Sequence, residues 1–278
     1  MSAGAPRAVG SRAEKQAAAE PGTPLVEVRG LTRRFGGVVA VKDVTFAVAA
    51  GSVKGIIGPN GAGKTTLLNL VAGSLRADSG EVRCDGRPMA GASPQRVSAQ
   101  GIGRTFQNVR LFGGMSVVEN VMLGRHRHGR TGLLAGLLGT PAARREERRS
   151  YAAAIAVLER LGIADLALTR ATSLALGQQR AVELARALAL EPRLLLLDEP
   201  AAGLNMRETA DLAGVIRKLR DDGITVLLVE HDMSLVMDVC EELVVLSFGE
   251  KIAEGTPQAV QSDPEVIRVY LGEDGAQR

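Results

Sequence analysis

Apolar positions along the chain follow two rules. Short runs that alternate, or that are apolar throughout, mark strands, and runs with apolar residues every three or four positions mark helices. Leu25–Val28 alternates, Phe35–Gly37 is a turn, Val44–Val48 alternates again, and Ser52–Ile57 is a short strand entered through the turn Ala50–Gly51. Thr65–Gly73 is helical and closes on glycine, while Glu81–Cys84 with Asp85–Gly86 reads as a strand and its turn. From about Ser116 to Ala189 strand signals vanish and helical periodicity takes over. A short helix covers Ser116–Leu123, with Ser116 as N-cap and Glu119 at the capping-box position. A longer amphipathic helix covers Arg144–Leu161 and ends at Gly162, and a third covers Gln178–Leu190 and stops before Pro192. Gly124–Pro141 between the first two is a Gly- and basic-rich insert. The final third returns to apolar strands, Leu194–Leu197, Ile224–Val229 and Leu243–Leu246, separated by helices Arg207–Arg220 and Met233–Val239. Continuous apolar strands alternating with helices predict an α/β fold with a parallel sheet covered on both faces. A helical block interrupts it.

Composition narrows the picture. The 278 residues suit one large α/β domain or two small ones, and 45% hydrophobic with 23% charged residues is ordinary for a globular chain. Aromatics are 3% and Trp is absent, which argues against base stacking as the main activity. A formal charge of +3 with a pI near 9.1 is too weakly basic to imply a nucleic-acid partner. The two cysteines, Cys84 and Cys240, have neither metal-ligand nor redox spacing and read as buried thiols. The longest apolar stretches, near Leu133–Leu138 and Leu194–Leu197, are far shorter than a membrane span, and no signal-peptide layout opens the chain, so the cytoplasm is expected. Residues 1–24 lack periodicity and are expected to be a disordered leader, with a single ordered domain over 25–273 and a tail at 274–278.

The chemistry concentrates in a few places. Gly58-Pro59-Asn60-Gly61-Ala62-Gly63-Lys64-Thr65 lies between a strand and a helix. Such a loop turns backbone N–H groups inward around phosphate oxygens, with the helix N-terminus adding partial positive charge. Lys64 can reach β- and γ-phosphates and the Thr65 hydroxyl, ahead of Thr66, can ligate Mg²⁺. The apolar strand Leu194–Leu197 ends in Asp198 and Glu199, one carboxylate placed for a metal and the other for orienting and deprotonating water. His231 ends the next buried strand and can contact a γ-phosphate. Gln107, in Arg104-Thr105-Phe106-Gln107, brings an amide to the junction of core and helical block, where its carbonyl oxygen can bind Mg²⁺ or water. Leu174-Ala175-Leu176-Gly177-Gln178 opens a helix, a second anion site too far along the chain to share a lobe with Lys64. His126 and His128 have no assigned role, and the alternating charges of Arg144–Arg149 read as a solvated helix face.

In this order the motifs resemble the nucleotide-binding subunits of ABC transporters over about Leu25–Glu273. The resemblance implies an ABC cassette: a P-loop NTPase core, an N-terminal antiparallel β subdomain, and a helical subdomain inserted over about 108–190. It implies that Gly58–Thr65 is the Walker A loop, Gln107 the Q-loop, Leu174–Gln178 the signature, Asp198–Glu199 Walker B, Ala202–Asn205 the D-loop and His231 the switch histidine. It makes Phe35 the aromatic that stacks on adenine. ATP and Mg²⁺ are then the expected ligands. Two subunits would sandwich ATP, with Lys64 and Thr65 of one and the signature loop of the other on each γ-phosphate. A membrane-spanning permease, a sister or identical ATPase and, indirectly, a solute-binding protein are the implied partners, at the cytoplasmic face of the membrane. Arg104–Phe112, Asp198–Asn205, Glu230–Met237, the insert Thr131–Pro141 and the ending Gly255–Gly272 are similar to the longer ATPase of branched-chain amino acid importers. Importers of urea, other amides and small organic solutes, and a soluble non-transport ABC ATPase, remain alternative members of the family. One position departs from the common L-S-G-G-Q signature: Ala175 stands where a serine hydroxyl is usual. Losing that one hydrogen bond is worth about 0.5–1.5 kcal/mol, which weakens the site without silencing it.

Overall fold

A computed structural model of the chain describes residues 24–89, 94–105, 110–125 and 140–275. Residues 1–23 of the expected leader, Gln107, His126, His128 and most of the basic insert lie outside the described residues, and Pro24, placed in that leader, opens the first strand.

Strands β1 (Pro24–Phe35), β2 (Val38–Ala49), β4 (Ser79–Cys84) and the short β5 (Arg87–Pro88) form an antiparallel sheet in the order β2-β1-β4-β5. A second sheet runs β10-β9-β3-β8-β7-β6, built from β3 (Val53–Ile57), β6 (Ile102–Arg104), β7 (Leu194–Asp198), β8 (Thr225–Val229), β9 (Glu242–Ser247) and β10 (Glu250–Gly255). Its strands pair in parallel, except that β10 returns antiparallel beside β9. The helices are α1 (Lys64–Val71), α2 (Pro94–Ala99), α3 (Val117–Gly124), α4 (Pro141–Arg160), α5 (Leu176–Leu188), α6 (Met206–Asp221), α7 (Met233–Val239), α8 (Pro257–Gln261) and α9 (Pro264–Gly275).

The period-2 geometry of a strand sends each apolar run of the parallel sheet to both sides. Ile56, Leu194, Leu196, Leu227, Val229 and Val244 face α1 and the antiparallel sheet, and join one core with Val26, Val44, Leu67 and Leu68. Ile57, Leu195, Leu197, Leu228 and Val245 face the other way and pack on Leu184, Leu188, Ile216 and Val236 of α5, α6 and α7. A third core, including Val117, Val121, Ala154, Leu158, Val182 and Ala185, holds α3, α4 and α5 together. The fold is thus the expected α/β cassette, with an antiparallel β unit on one side and helices on the other.

Several boundaries differ from the sequence reading. Helix α4 starts at Pro141, three residues before Arg144, because Thr140 caps it by accepting from the Ala143 N–H and Pro141 needs no hydrogen bond at the first helical position. Helix α5 starts at Leu176 instead of Gln178. Strand β10, reading Glu-Lys-Ile-Ala-Glu-Gly, carries the charge pattern of a sheet edge and gives no apolar signal, and β6 has only three residues. Both went unread. Lys54 interrupts the apolar β3, yet it is buried, donating to the Ala47 carbonyl at 2.6 Å and pairing with Glu242 at 2.9 Å and with Glu254. A buried ammonium needs such partners.

Candidate functional site

Three strand tips of the parallel sheet build the site. Asp198 pairs with Val229, and Ile56 pairs with the same residue from the other side. Beyond the strands the ladder continues: the Glu199 N–H donates to the Val229 carbonyl at 2.9 Å, and the Glu230 N–H to the Ile56 carbonyl at 3.3 Å. The phosphate loop, Glu199 and His231 therefore leave the sheet side by side at its carboxyl edge, where open α/β sheets bind ligands.

The loop Gly58–Gly63 is compressed against its surroundings. A Cβ on Gly58 would sit 2.2 Å from the Leu246 carbonyl oxygen, and one on Gly63 would sit 2.2 Å from that of Ala40; both have positive φ, 149° and 98°. Only glycine fits either place. Gly63 is also the N-cap of α1 and offers no side-chain acceptor, so the first-turn N–H groups, with Thr65 and Thr66 half-buried beside them, remain available to an anion. Lys64 is buried and folds over the loop, its Nζ donating to the carbonyls of Gly58 at 2.7 Å and Pro59 at 2.9 Å. Burial pushes its ammonium below the ordinary lysine value, with Glu199 pulling the other way. The β1–β2 hairpin reaches the loop through Ala40. Phe35, at the end of β1, is 47% exposed with the Arg33 guanidinium 4.9 Å from its ring centre, which leaves aromatic surface for a planar ring.

Asp198 is 2% exposed. Its Oδ2 accepts from Arg104 Nη2 at 3.2 Å, while Oδ1 is buried with no partner among the described residues. An orphaned carboxylate oxygen is costly unless something hard and positive joins it, and carboxylate oxygen is the donor type that Mg²⁺ takes. Burial pushes the Asp198 carboxyl above the ordinary aspartate range, Arg104 opposes this, and Glu199 adds to the upward push. A raised folded-state pKa means that the contribution to stability is present at low pH and is lost as pH rises through that value. The ionised Asp198 therefore costs stability at neutral pH. Asp198→Asn should melt at a higher temperature than wild type at pH 7–8 without nucleotide, and the difference should vanish as pH falls towards about 4; a lower melting temperature for the variant at neutral pH would contradict this assignment.

Glu199 has φ 47°, a left-handed backbone that a non-glycine residue adopts at a cost of about 1–3 kcal/mol. The turn is held at its far side by the Ala202 N–H, which donates to the Glu199 carbonyl at 3.1 Å. The strained backbone sets the Glu199 carboxylate directly after the tip of β7. His231 follows β8 with its side chain 60% exposed, and Asp232 behind it caps α7.

The loop Leu174–Gln178 belongs to the helical unit: Leu174 is in its core, and Ala175 is the N-cap of α5 in extended conformation, φ −64° and ψ 158°. Gln178 Oε1 accepts from the Ala175 N–H at 3.0 Å, half of a capping box whose other half needs a hydroxyl that alanine lacks. The loop packs on 201–208: a Cβ on Gly177 would lie 2.6 Å from Glu208 Oε1, and one on Gly203 2.8 Å from Leu176 Cδ2. The structure thus brings the phosphate loop, Asp198, Glu199 and His231 to the carboxyl edge of the parallel sheet, places Phe35 in the antiparallel sheet and sets 174–178 at the start of α5. Ala175→Ser completes the box and should stabilise α5 by about 1 kcal/mol, raising the melting temperature by about 2–4 °C in a chain of this size. No rise in a thermal melt would show that the cap is not limiting.

Two residues of the site were not singled out from sequence. Arg104, next to the Gln107 motif in sequence, pairs with Asp198. Glu230 is fully buried and accepts from the N–H groups of Ala201 at 2.7 Å, His231 at 2.9 Å and Asp232 at 3.2 Å. The signal available was a carboxylate directly after the apolar run Val226–Val229.

Comparison with known proteins agrees with this geometry. A family model described as ABC transporter matches residues 41–202, and one described as branched-chain amino acid ATP-binding cassette transporter matches 250–276. The high-affinity branched-chain amino acid transport ATP-binding protein BraF of Pseudomonas aeruginosa is 48% identical over 251 residues, covering 90% of this chain and 98% of BraF. LivG of Escherichia coli K12, of the same description, is 43% identical over the same shares. Among solved structures, the ADP conformation of the ABC-transporter cassette MJ1267 superposes with a TM-score of 0.79 at 33% identity, covering 90% of this chain and 99% of that one. A dimeric post-hydrolysis state of the cassette MJ0796, bound to ADP and Pi, gives 0.71 at 26% identity, covering 84% and 98%. The chain belongs to the ABC transporter family of ATP-binding cassettes, in the group of the branched-chain amino acid transport ATP-binding proteins.

Proposed function

We propose that this ATPase powers the import of branched-chain amino acids through a membrane-spanning permease. The observation that carries the chemistry is the strand-tip arrangement: a glycine-fitted phosphate loop, a buried orphan oxygen on Asp198 and a strained Glu199 at one sheet edge. The solute class is supported by the names of BraF and LivG and by the match over 250–276.

Thr65, Asp198 and Gln107 are the residues that would hold Mg²⁺, which when bound neutralises charge on the β- and γ-phosphate oxygens. Lys64 exchanges its two loop carbonyls for phosphate oxygens. The backbone N–H groups of Gly58–Thr65 and the dipole of α1 take the remaining negative charge. Phe35 supplies an aromatic face for adenine. Glu199 accepts a proton from the attacking water, and His231 orients that water against the γ-phosphate; both act on charge that develops in the transition state. The 174–178 loop of a second cassette closes over the same phosphate through the N–H groups of Gly177 and Gln178. Since the Ala175 side chain donates nothing, the backbone and helix dipole carry that contact. Release of the sandwich after hydrolysis, transmitted through Gln107 and the helical unit, drives the permease.

Among the described residues no helix is long and apolar enough to cross a membrane. The proposed place is peripheral, on the cytoplasmic face of the inner membrane, beside a permease fed by a solute-binding protein. ATP hydrolysis by the reconstituted complex tests the reading: leucine-loaded binding protein should stimulate turnover several-fold over the unloaded protein. Stimulation by urea or another amide in place of leucine would move the solute assignment to that class.

A further inference from the structure

Glu230 carries a buried carboxylate that the proposed chemistry does not use. Among the described residues its only ionisable neighbour within ion-pair reach is the exposed imidazole of His231, at 3.8 Å. An unpaired buried carboxylate is expensive, and it persists only where strong donors replace water. Here the donors are three backbone N–H groups on two different loops. Oε1 takes the Ala201 N–H, inside the tight turn that begins at Glu199. Oε2 takes those of His231 and Asp232. Asp232 in turn caps α7 through Oδ1, accepting from the N–H groups of Ser234 at 2.9 Å and Leu235 at 3.2 Å. The Glu230 backbone is fixed to Ile56, two residues before Gly58. One carboxylate therefore spans the turn bearing the candidate base and the loop bearing the candidate water-orienting group, and its own main chain is anchored next to the phosphate loop.

We propose that Glu230 is the positioning residue of hydrolysis, a clip that holds the turn Glu199–Ala202 and the loop His231–Asp232 in one frame. The proposal rests on the reading of Glu199 and His231 given above. The strained backbone of Glu199 makes the clip necessary. A left-handed glutamate relaxes unless its surroundings over-determine it, and the Ala201 contact pins the turn from the inside. Because the turn runs on into Ala202–Asn205, against which the 174–178 loop packs, the clip also fixes that surface relative to His231.

Substitution at this position separates positioning from simple support of the fold. Aspartate is shorter by one methylene, about 1.5 Å, so it keeps the contacts within its own loop and loses the reach to Ala201. Glutamine keeps the length but has only one accepting oxygen. For the full chain in its membrane complex, Glu230→Asp should lower kcat by about 10- to 100-fold, the scale of an ångström-sized misplacement. KM for ATP and ATP affinity should stay within about twofold. Glu230→Gln should fall between it and wild type, and amide exchange at Ala201 should quicken in the aspartate variant. A wild-type kcat in Glu230→Asp overturns the clip, as does a loss of kcat matched by an equal loss of ATP affinity and of folded protein. Glu199→Gln, run in parallel, separates the two readings: wild-type turnover there removes the base assignment itself, whereas a dead Glu199→Gln beside an unaffected Glu230→Asp removes only the clip.

Discussion

Glu199→Gln abolishes turnover and spares binding: kcat should fall by at least about 100-fold, the usual contribution of a positioned general base, while ATP affinity stays within about threefold. The two side chains have the same shape, and the residue's position is set by backbone hydrogen bonds to Val229 and Ala202 and by the clip on Ala201. The variant keeps the geometry and loses the negative charge, and with it the ability to take a proton. It should therefore accumulate an ATP-bound dimer, visible by size-exclusion chromatography with MgATP. Turnover near wild type would reassign the base, and weakened ATP binding would mean that Glu199 serves the phosphates and not the water.

Lys64→Ala gives the opposite signature. Removing a desolvated ammonium from an anion site costs about 2–5 kcal/mol, at least about 30-fold in affinity. Without ligand Lys64 only folds back onto the carbonyls of Gly58 and Pro59, so its loss should leave the apo melting temperature within a few degrees of wild type. Saturating MgATP stabilises any state that binds it. At an MgATP concentration about 100-fold above the wild-type Kd the melting temperature of the wild type should rise by several degrees and that of Lys64→Ala by much less; an equal rise in both would show that the lysine does not reach the phosphates.

The parallel core and the phosphate loop were legible because both are written in residue type. Leu194–Leu197 and Val226–Val229 are apolar throughout, as strands buried on both faces are, and glycines at 58 and 63 stand where any Cβ would strike a carbonyl. The N-cap Ser116 with Glu119 formed the capping box expected of them. What escaped depends on contacts distant in sequence. Strand β10 is an edge, so its charged residues conceal it. Lys54 looks wrong for an interior strand until Glu242 and Glu254 arrive from β9 and β10. The pairing of Arg104 with Asp198 joins residues 94 positions apart. The clip at Glu230 joins a side chain to a backbone N–H at Ala201, and a backbone donor has no residue-type signature.

Uptake of labelled leucine by cells that rely on this chain, carrying wild type or Glu199→Gln, tests whether hydrolysis at this site powers leucine import. Wild type should accumulate leucine in competition with isoleucine and valine, and Glu199→Gln should not. Equal uptake by both, in cells without another leucine importer, would contradict it: the ATPase would then serve a different solute.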